Sequence, residues 1–90
     1  MTTTENAPGF TFPGMFDITA IGAADAGLDV VLQQQIEARG VAVLAGSLRT
    51  RPSSGGHYLS VTLSFLCPDR ATHEAIYEAA RSHPAVKWTL

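Results

Sequence analysis

The side chains able to do chemistry are few and widely spaced in this 90-residue chain. Its three histidines, His57, His73 and His83, have no metal-ligand pair at local spacing. Cys67 is the only cysteine, so neither an intrachain disulfide nor a Cys-x-x-Cys site can form. No metal site and no cofactor are expected. Cys67 also shares strand parity with Val61 and Phe65, which makes it a buried, inert thiol. Ser53-Ser54-Gly55-Gly56 has the glycine content of a phosphate cradle, but it opens a strand where a phosphate loop would open a helix.

One group remains for binding. Arg49 and Arg51 lie two apart, so on a strand both emerge on one face beside the turn Ser53, Ser54, Gly55, Gly56, His57 and Tyr58. Two guanidinium groups with nearby backbone N–H groups are suited to a carboxylate or phosphate. The competing reading is that the arginines keep an edge strand from pairing with another chain.

These residues need elements to position them. Phe16, Ile18 and Ala20 alternate with Asp17 and Thr19 as a first strand. Leu28, Val31, Leu32 and Ile36 fall at helical spacing within a helix of about Ala26 to Arg39, closed by Gly40. Leu44, Gly46, Leu48 and Thr50 share one parity of a second strand. After the turn, Leu59, Val61, Leu63 and Phe65 alternate with Tyr58, Ser60, Thr62 and Ser64, which makes a hairpin. Asp69 caps a second helix with the stripe His73, Ile76, Tyr77 and Ala80, and Val86, Trp88 and Leu90 alternate as a last strand.

This order predicts an α+β, ferredoxin-like βαββαβ sandwich: a four-stranded antiparallel sheet with two helices on one face. Residues 1–9 read as a flexible tail and 10–90 as the domain. The predicted sheet core is Phe16, Ile18, Leu44, Leu48, Leu59, Val61, Leu63, Phe65, Val86 and Trp88. The open face is predicted to carry Asp17, Thr19, Ser47, Arg49, Arg51, Tyr58, Ser60, Thr62, Ser64, Lys87 and Thr89.

Phe12-Pro13 with Phe16 and Gly22, the hairpin Arg51-Pro52-Ser53-Ser54-Gly55-Gly56-His57-Tyr58 leading into Ser60-Val61-Thr62, and the close from Tyr77 through Val86 to Leu90 resemble the YbeD-like family of small bacterial proteins. The resemblance spans about Phe10 to Leu90. It implies a ferredoxin-like topology similar to ACT-type regulatory domains, which bind small effectors such as amino acids, and it implies no catalytic residues.

The formal net charge of −2 argues against broad nucleic-acid binding, and the open-face hydroxyls leave no aromatic platform for RNA bases. The apolar runs are too short to span a membrane, and no signal peptide is recognisable, so a cytoplasmic location is expected. The leading expectation is a non-enzymatic, ACT-like regulatory or adaptor module acting through an unknown protein partner or a small anionic effector. The alternatives are a small enzyme or ligand-binding protein using Arg49, Arg51, His57 and Tyr58, and a self-associating homodimer.

Overall fold

The computed structural model describes residues 11–90; the predicted tail and Phe10 lie outside the described residues. The elements run β1 (Gly14–Ala23), α1 (Leu28–Glu37), β2 (Arg49–Pro52), β3 (Tyr58–Cys67), α2 (Arg70–Ser82) and β4 (Trp88–Thr89). They form one antiparallel sheet in the order β2-β3-β1-β4. That is the ferredoxin-like α+β arrangement the alternating pattern predicts.

β1 and β3 pair over ten residues each, and their register decides which side chains are inside. Phe16 faces Phe65, Ile18 faces Leu63 and Ala20 faces Val61 on the helix side. Ile18, Ala20, Val61 and Phe65 have no exposed surface. α1 lays Leu28, Leu32 and Ile36 on them at four-residue spacing, and α2 adds Ile76 and Ala80. Asp69 caps α2 by accepting a hydrogen bond from the Thr72 N–H at 2.8 Å. Past α1 the chain turns through Gly40 at φ 79°, a backbone state that L side chains rarely adopt.

Two stretches depart from the predicted parity. Leu44 and Leu48, predicted inside, are exposed, because the second strand is interrupted: Val43 bridges Phe65, and regular pairing resumes only at Arg49 opposite Thr62. Five residues of the second strand therefore stand against two of β3. The Ser47 hydroxyl bridges the gap by donating to the Leu44 carbonyl at 2.7 Å and accepting the Ser64 N–H at 3.1 Å.

The last strand is the second departure. Trp88, predicted in the core, is 55% exposed and sits opposite Ile21 on the open face. Thr89, predicted on the open face, pairs with the buried Ala20 and shares the helix side, and Lys87 lies in a bend before the strand. The physical reason is the turn before the strand. Val86 is buried from a turn in which its N–H donates to the His83 carbonyl and the Ala85 N–H donates to His83 Nδ1. The chain bends at Lys87, so the facing of Val86 does not carry into Trp88.

Behind the sheet, the His73 ring lies 4.8 Å from Phe16 and is stacked at 4.8 Å on Tyr77. Burial lowers the His73 pKa below the ordinary imidazole value; Glu74 opposes this and Arg70 adds to it. The folded chain therefore binds this proton less readily than the unfolded chain. Stability should hold above about pH 6.5 and fall as the pH drops from there toward the lowered folded value. Urea unfolding at neutral and mildly acidic pH should show this loss, and His73→Phe should flatten it. An equally steep loss in the variant would assign the titration to another group.

Candidate functional site

On the open face the register brings four strands into cross-strand rows. Asp17 faces Ser64, Thr19 faces Thr62 with Arg49 beyond it, and Trp88, Ile21, Ser60 and Arg51 form a row from one edge to the other. Polar side chains in the first two rows satisfy one another. Ser64 Oγ donates to Asp17 Oδ1, Arg49 Nη2 lies 3.3 Å from Asp17 Oδ2, and the Thr19 and Thr62 hydroxyls are 2.7 Å apart.

The two arginines singled out from the sequence therefore differ. Arg49 is held by Asp17, while Arg51 has no ion-pair partner among the described residues. Arg51 borders a depression of about 470 Å³ lined by Ile21, Pro52, Ser53, Ser54, Tyr58 and Ser60. An adjoining depression of about 540 Å³ holds Asp17, Thr19, Arg49, Thr62 and Leu90, and the two share Arg51 and Ser60. Together they make a shallow trough across the sheet.

The hairpin turn supports one wall. The Ser53 N–H donates to the Tyr58 carbonyl at 2.9 Å, the Tyr58 N–H donates to Ser53 Oγ at 3.2 Å, and the Gly56 N–H donates to the Ser53 carbonyl at 2.9 Å. The turn thus uses the Gly56 amide internally. Gly55, Gly56 and His57 do not line the depression, whereas Ser53, Ser54 and Tyr58 do.

Sequence reasoning missed Trp88 and Ile21. The Trp88 ring meets Tyr58 edge-to-face, with centroids 5.7 Å apart at 65°, so the open face carries an aromatic pair beside Arg51. Parity alone placed Trp88 inside, and no local signal marked the bend at Lys87 that turns it out. Away from this face, Cys67 is buried. Burial raises the Cys67 pKa, and its Sγ donates to the Asp69 carbonyl at 3.2 Å. Among the described residues no group of three His, Cys, Asp or Glu side chains can hold a metal ion, and no helix is long and apolar enough to cross a membrane.

The fold and this face define a small ferredoxin-like α+β protein with one sheet face left uncovered by the described residues. Comparison with known proteins gives its kinship: residues 7–90 match the family described as Protein of unknown function (DUF493). The chain is 44% identical over 82 residues to the UPF0250 protein of Xanthomonas oryzae pv. oryzae (strain PXO99A), covering 91% of this chain and 89% of that protein. It is 39% identical over the same span to the UPF0250 protein of Xylella fastidiosa (strain 9a5c), with the same coverage. The chain belongs to the DUF493/UPF0250 family of small bacterial proteins, the YbeD-like family. The solution structure of protein HP0495 from H. pylori shares the fold, with a TM-score of 0.76 at 16% identity over 100% of this chain and 94% of that one.

Proposed function

We propose that this protein is a non-enzymatic regulatory or adaptor module that docks a partner protein on its open sheet face. The observation that carries this reading is the exposed Tyr58–Trp88 pair, whose Tyr58 lines the same depression as Arg51, an arginine with no ion-pair partner among the described residues. Tryptophan, tyrosine and arginine are the side chains that dominate interface energetics when a partner covers them. A contiguous exposed apolar group rimmed by polar residues is the usual mark of a protein interaction site. The shallowness of the trough points the same way. A small effector binds well where the pocket encloses most of its surface, and a partner protein can cover what this sheet leaves open.

Affinity capture from nuclease-treated native extract tests the proposal. Wild-type protein and Val30→Ser, which alters an exposed side chain of α1, should retain one common partner. Trp88→Ser and Arg51→Glu should each reduce its retention by about tenfold or more. Undiminished capture by both face variants would overturn the assignment.

A further inference from the structure

We infer that the docked partner presents an acidic side chain to Arg51 and an apolar one to Trp88 at the far end of its row, about four residues apart in an extended segment; this rests on the reading of the open face as a docking surface. Charge is the first argument. The chain carries a formal net charge of −2, yet on the open face Arg49 and Arg51 stand against a single described carboxylate, Asp17. Asp17 is already engaged by Ser64 and Arg49. Any surface that covers Arg51 removes water from a guanidinium with no counter-charge among the described side chains, so a partner lacking an anion there is disfavoured.

A carboxylate fits better than a phosphate. One guanidinium fork matches one carboxylate, and Ser53, Ser54 and Ser60 line the same depression with hydroxyl groups. A doubly charged phosphate would call for a second cation, and Arg49 is committed to Asp17.

Spacing comes from the register. Arg51, Ser60, Ile21 and Trp88 occupy one row across all four strands. Three strand spacings make about 14 Å, and an extended segment rising about 3.4 Å per residue covers that in about four residues. Side chains four apart on such a segment also point the same way.

Trp88 is the only tryptophan, so its emission reads the site directly. The probe is a blocked extended peptide with Glu and Phe four positions apart, titrated beside the same peptide carrying Gln for Glu. The Glu peptide should shift Trp88 emission saturably and bind about tenfold or more tightly than the Gln peptide. Arg51→Gln, with an unchanged melting temperature, should erase that difference. If the two peptides bind the wild-type protein alike, or neither shifts the emission, the inference is overturned, while partner capture that still depends on Trp88 leaves the docking surface standing. Capture that survives both Trp88→Ser and Arg51→Glu overturns both. A dimer in light scattering that Trp88→Ser dissociates would make a second copy the occupant and overturn the acidic-segment inference.

Discussion

Phe65→Ala is expected to lower stability by about 3 to 5 kcal/mol, the largest effect of any single truncation considered. Phe65 is fully buried near the middle of the sheet, opposite Phe16 on β1 and bridged by Val43 on its other side. Removing its ring leaves a cavity between rigid strands that cannot close around it. Thr62→Ala, three residues away on the other face, removes a hydroxyl contact to Thr19 and should cost about 1 kcal/mol. Ser64→Ala should fall between these. Ser64 is only 9% exposed and its hydroxyl donates to the Asp17 carboxylate, but Asp17 itself reaches water and can be rehydrated. Urea denaturation ranks the three. Thr62→Ala proving costlier than Phe65→Ala would mean that the core and open faces are exchanged.

Gly22→Ala is expected to be the next most damaging, at about 1 to 3 kcal/mol. The small size of the change makes this an unusual site. Gly22 lies on β1 with the chain before β4 passing directly over it, and an added Cβ would sit 2.2 Å from the Ala85 carbonyl oxygen. That oxygen is backbone and has no flexible end to move. Relief requires the segment that buries Val86 to shift outward, against the hydrogen bonds from the Lys87 N–H to the Ile21 carbonyl and from the Leu90 N–H to the Thr19 carbonyl. Lower stability should therefore come with altered Trp88 emission, because β4 moves with that segment. A variant as stable as wild type, with unchanged emission, would show that the Ala85 segment does not press on β1.

The parts of the fold legible in the sequence are those where one periodicity runs long enough to be unambiguous. β1 alternates from Phe16 to Ala20 and β3 from Tyr58 to Phe65, and α1 and α2 keep their apolar stripes between recognisable ends. Where an element is short, alternation misleads. β4 has two residues, so the apparent rhythm of Val86, Trp88 and Leu90 joins a turn residue to a strand residue. Leu44 and Leu48 share the parity of Thr50, but the extra residues before Arg49 break the phase.

The site inherited the error in the last strand. Arg51, Ser53, Ser54 and Tyr58 were recognisable from their turn, and the structure gathers them around one depression. That Arg49 is paired and Arg51, among the described residues, is not depends on Asp17 lying across β3 in the row next to that of Arg49, a long-range register no local pattern encodes. The aromatic half of the face depended on the facing of Trp88, which alternation reversed.

The most direct test of the open face as the working surface is quencher access to Trp88, because this indole lies within it and is the only tryptophan of this chain, so that it can be followed apart from the partner's by 5-hydroxytryptophan labelling. In the free protein a neutral quencher such as acrylamide should reach Trp88 readily, in keeping with its 55% exposure. In the purified complex with the captured partner, quenching should fall several-fold and the emission should move to shorter wavelength. Equal quenching of free and bound protein, at a partner concentration that saturates binding, would place the partner elsewhere and contradict the proposed function.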